Sequence, residues 1–98
     1  MNIQAMMQQA KKMQKEMMDA KESIDKKEFI CQKSFVTVVA FGNKKIKEVK
    51  IDSENLEKED IEMLQDLILV ATNDVMDQID KETEKVMGKY TQGMPGLF

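Results

Sequence analysis

The chain has 98 residues, with fifteen lysines, eighteen carboxylates and a formal net charge of −3. That suits one small domain with a modest core. Histidine, arginine and tryptophan are absent and Cys31 is the single cysteine. The commonest general base, the commonest metal ligand, an internal disulfide and a Cys-type zinc site are therefore excluded.

A heptad opens the chain. Ile3, Met6, Ala10, Met13, Met17, Ala20 and Ile24 follow one another at alternating steps of three and four. This a/d pattern draws one apolar stripe along a helix roughly 33 Å long. Asn2 is suited to cap its start, and Ala, Gln, Lys, Glu and Met fill the run to about Lys26. A stripe this narrow gains little unless another surface covers it, so an oligomer of two or more chains is expected. Met7 broadens the stripe; Met18 falls outside it and has no evident role.

The texture changes at Glu28. Phe29-Ile-Cys31 reads as a short strand, and Phe35-Val-Thr-Val-Val-Ala-Phe41 as a stronger one, apolar enough to predict cover on both faces. Gly42-Asn43 offers a turn tolerant of positive φ. A third strand follows over about Lys45 to Asp52. Its apolar positions are Ile46, Val49 and Ile51, and the three-residue step between the first two predicts a bulge.

After a polar connection, a long helix is expected to start between Glu57 and Asp60, where acids crowd the end favoured by the helix dipole. Ile61, Met63, Leu64, Leu67, Ile68, Val70, Ala71 and Val75 form a broad apolar face suited to lying on a sheet. Beyond Met76 apolar residues thin to Ile79, Val86 and Met87, so this part is expected to project into solvent or touch a partner lightly. Gly88 is a candidate stop. The fold class is α+β, in the order α-β-β-β-α, with a small antiparallel sheet flanked by two long helices in a dimer. Residues 1–90 form the domain, and 91–98, with Pro95 and two glycines, read as a flexible tail.

No apolar run approaches the ~20 residues that cross a bilayer. Residues 1–20 are rich in Gln and Lys and lack the apolar region of a secretory leader. A lone cysteine fits a reducing compartment. A cytoplasmic protein is expected, with no membrane association. The four glycines make no phosphate-binding loop. Nothing marks a catalytic group, a metal site, a cofactor or a small-molecule substrate.

Four segments resemble the YbaB/EbfC nucleoid-associated family. They are the opening helix Asn2-Ile-Gln-Ala-Met-Met-Gln-Gln-Ala-Lys-Lys-Met-Gln-Lys-Glu-Met17, Val49-Lys-Ile-Asp52, the pair Met63-Leu-Gln-Asp-Leu-Ile68 and Ala71-Thr-Asn-Asp74, and Gly93-Met-Pro-Gly-Leu-Phe98. The likeness spans essentially the whole chain in the right order. It implies a small bacterial homodimer of the cytoplasm and nucleoid, with helices projecting from a shared sheet and binding double-stranded DNA. One departure stands out. Where the family carries a Gly-rich link between the first two strands, this chain reads Cys31-Gln-Lys-Ser34.

Charge is unevenly placed. Residues 26–50 hold seven lysines and two glutamates, net +5, whereas residues 51–98 hold four lysines and twelve acids, net −8. A polyanion must therefore be met by local clusters. Lys11, Lys12 and Lys15 point away from the seam, beside Gln4 and Gln8, and are the first candidates for DNA phosphates. As a purely solvated face, they would instead pair Lys12 with Glu16 and Lys15 with Asp19. Lys81, Lys85 and Lys89 form a second stripe on the last helix, and Lys44, Lys45 and Lys47 a third cluster near the hairpin, with Lys50 beyond it. Lysine without arginine favours phosphates over bases, because bidentate reading of guanine is mainly the work of Arg. The competing reading is a coiled-coil-like interaction scaffold without a direct DNA function.

Overall fold

The computed structural model describes residues 2–91. Helix α1 spans Ile3–Lys26, strands β1, β2 and β3 span Glu28–Lys33, Val36–Phe41 and Ile46–Ile51, and helix α2 spans Ile61–Thr91 after a single 3-10 turn at Lys58–Asp60. The order is the α-β-β-β-α arrangement expected from the sequence. The chain measures 72 × 21 × 14 Å with a radius of gyration of 19.5 Å. A compact chain of this length would have a radius near 13 Å. The long helices account for the difference.

Local chemistry sets the ends of these elements. The Asn2 side chain accepts the Ala5 N–H at 3.3 Å, so the expected N-cap is present. At the other end of α1, Lys27 turns extended and donates its N–H to the Ile24 carbonyl. Glu57 and Asp60 then form a reciprocal capping box ahead of α2. Helix α2 continues past Gly88 to Thr91. Gly88 therefore does not stop it: one glycine costs a helix about 1 kcal/mol, too little to break one anchored by Met87 next door. The expected tail at 91–98 lies, beyond Thr91, outside the described residues.

The sheet is antiparallel in the order β1-β2-β3. Alternation turns Phe29 and Cys31 of β1 and Val36, Val38 and Ala40 of β2 inward, against Ala71, Val75 and Ile79 of α2. Full burial of side chains such as Val36, Val38, Val75 and Ile79 contributes roughly 1.5–3 kcal/mol each. The outer face of β2, with Thr37, Val39 and Phe41, is only half-buried. Cover on both faces was expected, but α2 closes one side only.

The predicted bulge is real. Val39 pairs with Glu48 and Ala40 with Ile46, leaving Lys47 as the extra residue. The three-residue step is thereby reconciled: Ile46, Val49 and Ile51 all share the face of Ala40, Val38 and Val36. That face of β3 is bare. Ile46, Val49 and Ile51 are 43%, 45% and 39% exposed.

Two turns differ from expectation. The left-handed residue of the β2–β3 hairpin is Lys44, with φ 70°, rather than Gly42 or Asn43. The Lys44 N–H donates to the Phe41 carbonyl, closing a turn over 42 and 43, and the Asn43 side chain accepts the Lys45 N–H. The β1–β2 connection is a tight turn at Ser34-Phe35, since Lys33 already pairs with Val36. Ser34 takes φ 53° and its carbonyl accepts a hydrogen bond from Gln32 Nε2. The segment Cys31-Gln-Lys-Ser34 thus serves as strand and turn.

The proximal part of α2 lies on the sheet through Leu64, Leu67, Ile68, Ala71 and Val75, as expected, but the distal part is better covered than expected. There Ile79 and Met87 are almost fully buried, the latter where α2 meets α1. The proximal half keeps Ile61, Met63, Leu69 and Val70 exposed. The reason is geometric. A 31-residue helix outruns a six-residue strand, and its far end finds the returning α1. The seam accordingly splits. Ile24 is buried and Met17 and Ala20 half-buried, whereas Ile3, Met6, Ala10 and Met13 are exposed. Met18 is exposed too, and shares with Met87 a cleft of about 450 Å³.

Candidate nucleic-acid interface

Lys11, Lys12 and Lys15 stand on the uncovered half of α1, with Gln8 one turn before them, and all four are exposed. Among the described residues, no ion pair joins Lys12 to Glu16 or Lys15 to Asp19; the pairs formed on α1 are Lys21–Asp25 and Lys26–Glu22. Glu22 and Asp25 pair toward the sheet, and among the described residues the three lysines nearer the tip form no ion pair. Point charges on mobile stems suit phosphate contact, and the amide of Gln8 adds a hydrogen-bonding group.

The second set is divided. Lys81 and Lys85 border an open groove of about 480 Å³ with Lys27, Phe29, Ile30 and Gln78. Lys27 is bound to Glu82 at 3.0 Å and lies 5.4 Å from the Phe29 ring. Lys81 and Lys85 form no ion pair among the described residues, whereas the Lys89 ammonium sits 4.9 Å from the Tyr90 ring. A weak cation–π contact leaves most of the Lys89 charge available.

The hairpin set is largely committed to the fold. Lys44 pairs with Asp80 of α2 at 2.7 Å, and Lys47 pairs with Glu28 while lying 5.9 Å from the Phe41 ring. Glu28 raises the Lys47 pKa, chiefly by hydrogen bonding. Lys45 remains exposed and forms no ion pair among the described residues. Residue spacing does not reveal the Lys44–Asp80 and Lys27–Glu82 pairs, because their partners are remote in the chain.

A polar cluster between β1 and α2 also went unforeseen. Asp74 accepts hydrogen bonds from the Cys31 thiol and from Gln78 Nε2, and Gln78 Nε2 also donates to the Ile30 carbonyl on the outer edge of β1. The only hint was the four-residue spacing of Asp74 and Gln78. Burial, then the Asp74 carboxylate, pushes the Cys31 pKa up. The Cys31 and Gln78 hydrogen bonds hold that of Asp74 down. A depressed carboxyl adds stability that is present above its unfolded pKa and lost as pH falls through the folded one. Cys31 is therefore expected to resist a thiol reagent at neutral pH until the protein unfolds, and Asp74→Asn to flatten the acid limb of a pH–stability curve. Rapid labelling of the native thiol would contradict this placement. Among the described residues no group of His, Cys, Asp or Glu converges on a metal-sized site, and no helix is long and apolar enough to cross a membrane.

Two long helices framing a three-stranded antiparallel sheet, with lysines on the outward helix faces, define a class of small α+β proteins. Within it, the chain belongs to the YbaB/EbfC DNA-binding family, whose model matches residues 1–94. It is 46% identical to a nucleoid-associated protein of Enterococcus faecalis over 98 residues, covering 98% of this chain and 94% of that one. It is 40% identical to a nucleoid-associated protein of Ligilactobacillus salivarius over 99 residues, covering 99% and 95%. A nucleoid-associated protein of Oceanobacillus iheyensis shares 55% identity over 65 residues, 64% of this chain and 62% of the relative.

Proposed function

We propose that this chain works as a homodimer in the cytoplasm and nucleoid, binding double-stranded DNA mainly through backbone phosphates and contributing to nucleoid organisation. Membership of a DNA-binding family and relatives named as nucleoid-associated support the partner. The observation that carries the mechanism is the unpaired set Lys11, Lys12 and Lys15 on an exposed helix face. Lys81, Lys85 and Lys89 come second. Lys45 adds a weaker contact, and Lys44 and Lys47 would first have to leave Asp80 and Glu28.

The homodimer rests on uncovered apolar surface. The seam supplies less of it than its length suggests, because Met17, Ala20 and Ile24 already pack within the chain. The bare face of β3, together with exposed Ile61, Leu69 and Val70 of α2, is the larger candidate. A second copy would also cover an edge strand that otherwise invites unspecific pairing.

A gel shift with random duplex DNA tests the reading. Binding should weaken steeply with salt, by about 0.9 log units per log unit of salt for each phosphate neutralised. Replacing Lys11, Lys12 and Lys15 with alanine removes six charges from a dimer and should lower that slope by up to about 5. Absence of any shift at low salt with micromolar protein would favour the interaction scaffold instead.

A further inference from the structure

Residues 2–10 carry no charged side chain, in a chain that is 34% charged. All of them are exposed, and they form the start of α1, beyond the reach of the packing that covers Ile24. An ordinary solvated helix end would be charged. This one bears an apolar stripe of Ile3, Met6 and Met13, respectively 69%, 56% and 45% exposed, with Ala10 between them.

We propose that this segment docks against the same segment of another copy, with the two helices antiparallel. The heptad fixes the register. In an antiparallel pair an a position faces a d position, so Ile3 lies opposite the partner's Met13 and Met6 opposite the partner's Ala10. Ala10 gives Met6 room, and Met6 is adaptable enough to fill it. Electrostatics agrees. Lys11 and Lys12 come beside the partner's Ala5 and the partner's Gln4, so no like charges meet. The first turn of α1 has no acid, and its positive dipole end comes within a turn of the partner's Glu16.

Magnitude decides what such a contact is for. Its exposed side chains offer on the order of 400 Å² per copy, so a pair buries ~800 Å², below the roughly 1,200–2,000 Å² of a stable specific interface. The contact is too weak to hold free subunits together. It becomes effective where copies are already crowded, since a second weak contact between tethered modules acts at millimolar effective concentration. Neighbouring dimers on one duplex meet that condition. The docking surface is independent of DNA, whereas its use in linking DNA-bound dimers rests on the proposed function.

Cysteine cross-linking under mild oxidation reads the register. Met6→Cys and Ala10→Cys place thiols at exposed positions, while the native Cys31 is buried. Circular dichroism confirms that each variant folds. A near-millimolar mixture of the two variants should form a disulfide-linked Met6→Cys/Ala10→Cys pair that neither variant forms alone. Long duplex DNA should raise its yield severalfold at micromolar protein, and a duplex too short for two dimers should not. No cross-link in the mixture, or equal cross-linking of each variant alone, overturns the docking. A register-specific cross-link that long DNA leaves unchanged keeps the docking and overturns its use on DNA, and a gel shift on the same samples reports separately whether DNA binds.

Discussion

Gly42→Ala should cost several kcal/mol and lower the melting midpoint by well over 10 °C. The position is set by clearance. A Cβ there would lie 1.8 Å from the Ile24 carbonyl oxygen and 2.6 Å from its carbon. Both are backbone atoms in the last turn of α1, and the same carbonyl accepts the Lys27 N–H that ends the helix. The Gly42 N–H in turn donates to the Lys27 carbonyl at 2.9 Å. The helix end, the start of β1 and the hairpin are thus stitched within one small volume, and none can retreat alone. Relief requires lifting α1 from the sheet, which uncovers Ile24 and loosens Met17 and Ala20 from α2. Full exposure of one large aliphatic side chain costs about 1.5–3 kcal/mol, and lost hydrogen bonds at the junction add about 1 kcal/mol each. Thermal unfolding of the variant checks this. A midpoint within 2 °C of the parent chain would mean that α1 is not seated as described.

The sequence carried this fold because its local signals agreed with its tertiary demands. The β-branched run of β2, the Asn2 cap and the step that betrays the bulge were all readable before any packing was known. What was not readable depended on which element meets which. Gly42 looks like a turn glycine, but its role is to let α1 approach, and the left-handed conformation falls on Lys44. Apolar density marked the face of α2 that meets the sheet through Leu64, Leu67, Ile68, Ala71 and Val75, but it gave no sign of the cover over Met87, which depends on α1. Ile79 and Met87 are sparse yet buried, while Leu69 and Val70 are crowded yet exposed. The candidate lysines were visible from helix phase. Their availability was not, because Lys44 and Lys47 are occupied by Asp80 and Glu28, partners far along the chain.

The availability of β3 leads to the second large effect. Val49→Asp is expected to yield a folded monomer. Val49 pairs across the ladder with buried Val38, yet remains 45% exposed because α2 spans β1 and β2 and leaves β3 open. In a separated subunit the new carboxylate stays in water and the fold is spared. In a homodimer closed over β3 it would be desolvated without a partner, and a two-fold interface would bury it twice. An uncompensated buried charge costs about 3–5 kcal/mol, and two of them weaken association by roughly 10⁴-fold or more at 1.4 kcal/mol per decade. Sedimentation velocity across a dilution series should show the parent chain as a dimer where Val49→Asp is monomeric, with helical content retained. Val49→Leu, which enlarges the apolar face without charge, should stay dimeric. If Val49→Asp sediments like the parent at every dilution, the subunits meet elsewhere and the open face of β3 has another occupant. Loss of the dimer should also weaken DNA binding disproportionately at low salt. Each released subunit keeps only its own lysine set, and the phosphate contacts of two sets no longer act at one effective concentration.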